Sequence, residues 1–416
     1  MFSSADSLQH CNFQCESVII FRHLSRRYSH TSAPEKGGFV ESKSSRRKFL
    51  QAGLALPAVG FISTQHFDVF AQAPAPSYRI LGKTGLKVSS VGSGVGITPS
   101  PEVIARAIDL GVNYFDTARG YGEGASERIT GAALKGKRDK VVLATKTDGK
   151  TKAEILKDMD ASLKALETDH VDIWHLHSRD TPDTITDEAV AACESLKKQG
   201  KTRFIGVSTH NVHAVADRIL QVGKFDVVQT TYSYALAGAS FRREAIDKLH
   251  KAGIGMVAMK VIIAVAGFVP REIKLPDEGP LAALKWVLKN PAIATTVPYV
   301  KSVAELEMNV RAMTESYAPA DEKMLYVRNE GIRPLYCRMC YECKGQCPKN
   351  VPVTEELRFL AYNDFGCDFH QAQDNFQRLP QAIRSVQCAD CSSCVIQCPN
   401  GVDVQKRLIR AQSLLA

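Results

Sequence analysis

The sequence contains no apolar run long enough to cross a membrane. Its longest candidate, Ala52 to Thr64, is about 13 residues and is interrupted by Pro57, whereas a spanning helix needs roughly 20. There is no Lys/Arg tract interleaved with aromatics, so nucleic-acid binding is a poor reading despite a formal net charge of +9. Cysteine is too sparse, 12 in 416 residues, for a small scaffold held by disulfides. No methionine stands between Met1 and Met159. What remains is globular in balance: 44% hydrophobic and 23% charged, enough for two or three domains with a large core.

The N-terminal part reads as an address. Ser45, Arg46, Arg47, Lys48, Phe49, Leu50 and Gln51 lead into the short apolar stretch, which ends in the small-residue exit Ala71-Gln72-Ala73-Pro74-Ala75. A basic region, a short apolar core and an A-x-A-like exit make a secretory signal. Paired arginines before Phe49-Leu50 mark it as the twin-arginine type, which exports folded proteins. Residues 1–75 are therefore expected to be an extension plus signal peptide. The product is expected in the periplasm or otherwise exported, with the twin-arginine machinery as a partner and no transmembrane segment in the mature chain. Such signals carry few residues before their arginines, so translation is expected to start near Val40.

From residue 78 to 316 strand-like and helical patterns alternate. The strand-like runs are Val88–Val95, Val112–Phe115, Lys140–Thr145, Val171–Leu176, Arg203–Val207, Phe225–Gln229, Ile254–Met259 and Ile293–Val297. Helical periodicity follows, as in Lys152–Leu166, Asp187–Lys198 and Val303–Met313. Eight βα units in this length predict an α/β fold, a (β/α)₈ TIM barrel. A Rossmann fold is the competitor, because Gly92, Gly94 and Gly96 follow a strand, but Ile97 stands where the last glycine of that fingerprint belongs.

Chemistry in such barrels sits at the C-terminal ends of the strands. Asp116, Lys146 and His177 end strands 2, 3 and 4, and Tyr121 lies in the loop after Asp116. In this region the chain resembles the aldo-keto reductase family. The carrying residues are Gly111 to Gly122 (GVNYFDTARGYG), Ser126-Glu127, Ala144-Thr145-Lys146, Asp172 to His177 (DIWHLH) and Ile205 to Ser208 (IGVS). The resemblance implies a catalytic tetrad: Tyr121 as acid/base, Lys146 as the cation that lowers its pKa, Asp116 as the partner of Lys146, and His177 as the group that orients the substrate oxygen. His175 shares a face with His177 and is expected deeper in the barrel.

The resemblance also implies a nicotinamide dinucleotide, NADP or NAD, with Ser208 and Gln229 on its carboxamide and Lys301, Ser302 and Asn309 on its adenosine phosphates. The match is looser here. Thr209 replaces the family's asparagine, Met308 its glutamate, and Glu305 falls where many NADP enzymes carry arginine. The substrate pocket is expected to be walled by Tyr232–Ser240 and Val261–Lys274, with an apolar bias.

Eight of the twelve cysteines form two runs of one spacing. Cys337, Cys340, Cys343 and Cys347 precede Pro348, and Cys388, Cys391, Cys394 and Cys398 precede Pro399. This is the run of a two-cluster bacterial ferredoxin, in which the fourth cysteine serves the other cluster. One [4Fe–4S] cluster is thus expected on Cys337, Cys340, Cys343 and Cys398, the second on Cys388, Cys391, Cys394 and Cys347. Zinc prefers paired ligands across a longer loop. Disulfides suit an exported protein but not this duplicated spacing. Glu355–Tyr362 and Phe369–Ile383 look helical, so residues 317–416 are expected to form a small, mainly helical ferredoxin-like domain. Cys11, Cys15, Cys193 and Cys367 fall outside the runs.

Together these readings predict an exported oxidoreductase. It would move hydride between a nicotinamide cofactor and a small carbonyl or alcohol substrate, with two clusters for electron transfer, facing a redox partner protein, or for stability. Free dinucleotide is not expected outside the cytoplasm, so it is expected to be loaded before export. The alternative is a non-hydride electron-transfer or redox-sensing iron–sulfur protein that uses the barrel as a scaffold.

Overall fold

The computed structural model describes residues 76–96, 100–262, 278–366 and 369–416. The twin-arginine stretch, Cys11, Cys15, Cys367 and much of the expected pocket wall Val261–Lys274 lie outside the described residues.

The chain opens with an antiparallel hairpin, β1 (Tyr78–Ile80) and β2 (Lys87–Ser89). Gly85, at φ +70°, takes the left-handed conformation that its turn requires. The hairpin plugs one end of the barrel. Leu81 is fully buried, and a Cβ on Gly255 would stand 2.7 Å from its Cγ, so the opposing strand must begin with glycine. The Arg79 guanidinium ties the hairpin down by donating to the carbonyls of Leu288 and Ile293, each at 2.6 Å.

Eight parallel strands follow: β3 (Ser93–Gly94), β4 (Tyr114–Asp116), β5 (Val142–Thr147), β6 (Val171–Leu176), β7 (Thr202–Thr209), β8 (Val227–Thr231), β9 (Gly255–Met259) and β10 (Ile293–Thr296). They pair in sequence order from β3 to β10. The ring closes through parallel bridges Val91 to Thr296 and Gly94 to Tyr299, with Gly92 N donating to Thr296 O at 2.8 Å. The expected first strand, Val88–Val95, is split: its start joins the hairpin and its end joins the barrel. The other seven expected strands are all present, shifted at their ends by up to two residues.

Strand side chains alternate with period two. Phe115, Leu143, Trp174, Ile205, Val207 and Val228 point outward and pack under the helices. Tyr114, Val142, Ala144, Ile173 and Val227 point inward to a separate core with Leu81 and Val88. Carrying each alternation two residues on puts Asp116, Lys146, His175 and Gln229 on the inner face at the strands' C-terminal ends.

Helices Lys152–Leu166 and Asp187–Lys198 have the expected bounds. The first starts at a capping box: the Thr151 hydroxyl accepts from Glu154 N, and the Glu154 carboxylate accepts from Thr151 N. Val303–Met313 is helical to Val310 and tightens into a 3₁₀ turn over Arg311–Met313. Beyond the barrel, the described residues hold helices and turns. Pro319–Gly331, Val353–Gly366, Phe369–Gln377, Gln381–Arg384 and Val404–Leu415 are helical. Pro380 splits the expected Phe369–Ile383 helix, as a residue without an N–H should. Residues 74–416 form one compact unit, so these helices pack on the barrel as part of a single body. No helix among the described residues is long and apolar enough to cross a membrane.

Candidate active site

Asp116 is the last residue of β4, Lys146 stands near the end of β5, and His177 follows β6 directly. Tyr121 is carried by a tight turn whose next three residues, Gly122, Glu123 and Gly124, all have positive φ. The Lys146 Nζ donates to Asp116 Oδ2 at 2.6 Å and to Thr117 O at 2.7 Å. Both side chains of this ion pair are at most 2% exposed. Removing one partner from such a pair strands the other charge, at a cost of about 3–5 kcal/mol. The same Asp116 oxygen also accepts from Gln229 Nε2 at 3.0 Å. Burial lowers the Lys146 pKa, and Asp116 works against that loss.

The Lys146 ammonium lies 5.2 Å from the centroid of the Tyr121 ring. His177 meets that ring edge-on, with centroids 5.8 Å apart. The expected tetrad is therefore assembled at the barrel mouth from three neighbouring strands. The electrostatics of Tyr121 differ from the expected lowering. Burial first, then Tyr299 and Asp116, hold the phenol well above its ordinary value. The ammonium that should pull it down already serves Asp116 and Thr117 O. The phenol is kept protonated, which suits an acid.

Three further residues belong to the site. Asp148 Oδ1 lies 2.9 Å from His177 Nδ1. Burial opposes this carboxylate, yet the hydrogen bond and charge of His177, with Arg378 and Arg179, hold it down at about 2. A Cβ at Gly120 would fall 2.6 Å from Asp148 Oδ2, so the turn before Tyr121 needs glycine there. Asp148 stands two residues past Lys146, on the same strand face, and that alternation is the signal that could have found it. The other two are Tyr299, edge-on to Tyr121 with centroids 6.4 Å apart, and Lys260, whose Nζ is 5.4 Å from the Tyr299 centroid. His175 is fully buried deeper in the barrel, as expected, with its pKa driven well below the usual value by burial and by Lys146.

Ser208 and Gln229 face each other on β7 and β8, both buried. Ser208 Oγ accepts from Ser178 N at 2.9 Å, while Gln229 Oε1 is buried without a hydrogen-bond partner. Asn309 is 1% exposed, and neither its Oδ1 nor its Nδ2 has a hydrogen-bond partner. Such orphaned groups cost free energy unless a ligand meets them. Ser302 caps the helix Val303–Val310 by accepting from Glu305 N at 3.2 Å. Glu305 in turn accepts from Lys301 N at 2.7 Å. Thr209 is turned to Asp180 Oδ1 at 3.0 Å.

The nine described cysteines are free. Cys193 packs in the outer barrel core. Cys337 is half-buried near Cys343, Cys340 and Cys398, and desolvation with those neighbours pushes its thiol up to about 12. Cys388 lies near Cys347 and Cys391. Polar N–H groups are aimed at sulfur: Met339 N at Cys337 Sγ, Asn400 Nδ2 at Cys340 Sγ and Gln412 Nε2 at Cys388 Sγ, each at 3.4 Å. Among the described residues no three His, Cys, Asp or Glu donors converge closely enough to hold a single metal ion.

The C-terminal helices reach the barrel mouth. Arg358 Nη1 donates to His210 Nδ1 at 2.9 Å, and Tyr362 Oη lies 3.1 Å from His210 Nε2. Asp180 Oδ1 accepts from His210 N at 2.6 Å, and Arg242 Nη2 donates to Met339 O at 3.2 Å. Burial works against the Asp180 carboxylate, but the charge and hydrogen bond of His210, then Arg358, hold it far below the usual range.

Residues 98–274 match the Aldo/keto reductase family. L-galactose dehydrogenase of Arabidopsis thaliana is 30% identical over 285 residues, spanning 57% of this chain and 88% of that one. Aldo-keto reductase YhdN of Bacillus subtilis (strain 168) is 35% identical over 179 residues, spanning 38% and 54%. Among solved structures, aldo-keto reductase AKR11C1 of Bacillus halodurans, in its holo form, superimposes with a TM-score of 0.53 at 24% identity, over 61% of this chain and 96% of that one. An aldo-keto reductase of Klebsiella pneumoniae in complex with NADPH gives 0.52 at 24% identity, over 60% and 94%. At that identity the two structures speak for the fold, and the sequence matches speak for kinship. The chain is an oxidoreductase of the aldo/keto reductase family.

Proposed function

We propose that this protein is an exported carbonyl reductase, working with a nicotinamide dinucleotide and carrying two [4Fe–4S] clusters in its C-terminal helices. The observation that carries the reading is the buried Lys146–Asp116 pair beneath Tyr121, with His177 across the ring. Substrate enters as a small carbonyl or alcohol. Tyr121 holds the proton at its Oη, ready for a carbonyl oxygen. His177, anchored by Asp148, orients that oxygen. Asp116 and Thr117 O fix Lys146 and leave it one further hydrogen to offer.

The residues present fit a dinucleotide. Gln229 Oε1 and Ser208 would take its carboxamide, and Asn309, buried and without hydrogen-bond partners, would take the adenosine end, with Lys301 and Ser302 on the phosphates. When bound, the dinucleotide supplies the hydride. The Klebsiella relative carries NADPH. Here Glu305 sets a carboxylate beside Lys301 N, which opposes a 2′-phosphate and favours NADH.

The cysteines fit two cubanes better than one ion. A single metal draws thiolates to about 2.3 Å of one point, whereas a cubane spreads them around a larger body. Cys398 neighbours Cys337, and Cys347 neighbours Cys388, which supports the crosswise assignment. N–H groups aimed at sulfur suit thiolates. The clusters would pass single electrons to a partner protein. The twin-arginine pattern supports folding and loading before export.

Tyr121→Phe tests the enzyme reading. Carbonyl reduction is expected to fall by about 10²–10⁴-fold with the iron content unchanged. Equal rates in the variant and the wild type sink the reading.

A further inference from the structure

Tyr299 stands in the stretch Pro298–Ser302 that the resemblance sets at the dinucleotide phosphates, yet its ring turns to Tyr121, edge-on with centroids 6.4 Å apart, and the two phenols interact electrostatically. Backbone contacts put it there: Gly94 N donates to Pro298 O at 3.0 Å, and Gly94 and Tyr299 form a parallel bridge. A Cβ on Gly94 would stand 2.8 Å from Tyr299 Cδ1, and one on Gly96 would stand 2.7 Å from Tyr299 Oη. The glycines that resemble a nucleotide fingerprint therefore clear room for this ring. Lys260, at φ +59° just after β9, sets its Nζ 5.4 Å from the Tyr299 centroid. The other face of Lys260 meets Tyr362 of the C-terminal helices at 4.3 Å. The mouth thus holds two phenols, each with its own ammonium at nearly the same spacing, 5.2 Å for Lys146 over Tyr121.

We propose that Tyr299, backed by Lys260, is a second acid of the site and returns a proton to Tyr121 after each carbonyl reduction. The proposal rests on the hydride-transfer reading above. In the balanced step the carbonyl carbon gains hydride at the expense of the reduced dinucleotide. The Tyr121 O–H bond breaks, and its proton goes to the carbonyl oxygen, leaving an alcohol and the Tyr121 phenolate. That phenolate takes the Tyr299 proton, and water resupplies Tyr299. The surroundings set the direction. Burial raises both phenols, but Tyr121 faces Asp116 with no relief, whereas Lys260 pulls Tyr299 back. Asp116 and Tyr362 oppose Lys260 at Tyr299 more weakly. Lys146 has two of its three hydrogens committed to Asp116 and Thr117 O, which ties it to the ion pair.

The test is Tyr299→Phe in the full chain, isolated anaerobically and assayed on 4-nitrobenzaldehyde with NADH and with NADPH across the pH range. We expect kcat to fall about tenfold or more on the alkaline side, where solvent acid is scarce, and to approach wild type on the acid side, with KM unchanged. Added imidazole restores the loss, and Lys260→Met moves the profile the same way. Superimposable profiles, or a change confined to KM, overturn the relay. The pairing is also read without turnover, by ultraviolet titration of the phenol lost in Tyr121→Phe. That phenol is expected to ionise at lower pH in the Tyr299→Phe background, and identical curves overturn the pairing. A wild type that transfers no hydride refutes the reductase reading and the relay's role in it, while the titration still decides whether the two phenols are coupled.

Discussion

At the scale of single residues the site is a set of fixed donors. Lys146 has two of its hydrogens committed, Gln229 has one amide group used and one waiting, and His177 is held through a single ring nitrogen. Asp148 is the residue on which the last of these depends. Its carboxylate stays ionised to about pH 2, so the anchor persists across the working range. Asp148→Asn keeps the shape and removes the charge. We expect kcat/KM for carbonyl reduction to drop about tenfold, or ~1.4 kcal/mol, in steady-state kinetics, with folding intact. An unchanged value removes Asp148 from the account. The tetrad itself was legible in the sequence, because each member ends a recognisable strand or follows one closely. Asp148 was hidden because an aspartate after a strand reads as a cap. Tyr299 was hidden because what it touches, Tyr121 and the glycine strand, comes near only when the barrel closes.

At the scale of elements, periodicity did most of the work. Period two in β4 to β8 puts the polar ends of the strands inside, and Thr151 with Glu154 marks the start of its helix in the sequence itself. The helix Pro319–Gly331 escaped because charged residues interrupt its apolar face, and Val404–Leu415 because it starts soon after the last cysteine run. How the C-terminal helices dock was also illegible. It depends on His210, Arg358, Asp180 and Tyr362, which are far apart in sequence. Burial and the neighbouring Arg358, against the pull of Asp180, lower the His210 pKa to about 4, from about 6.5 in an unfolded chain. Below pH 6.5 the unfolded state binds the extra proton, so this contribution to stability is complete above 6.5 and is lost progressively as pH falls towards 4. The loss at pH 5 is on the order of 2 kcal/mol from this residue. Thermal unfolding at pH 7 and pH 5 should show a smaller drop for His210→Gln than for the wild type. Parallel drops would show that His210 does not sense the pH.

At the scale of the whole molecule, the barrel and the cysteine-bearing C-terminal region stand in one compact body. On the function proposed above, the barrel mouth would serve a two-electron hydride and the cysteine runs single electrons. Between them lie Lys260, Tyr362 and the buried Arg358–His210 lock, so the C-terminal helices form part of the wall of the active site. The most direct test of the whole account is to isolate the full-length protein anaerobically, denature it, and count what is released. The account predicts one nicotinamide dinucleotide, with about eight iron and eight sulfide per chain. Iron and sulfide without any dinucleotide, and no binding when NADH or NADPH is added back to the native protein, would contradict it and leave the barrel as a scaffold for an electron carrier.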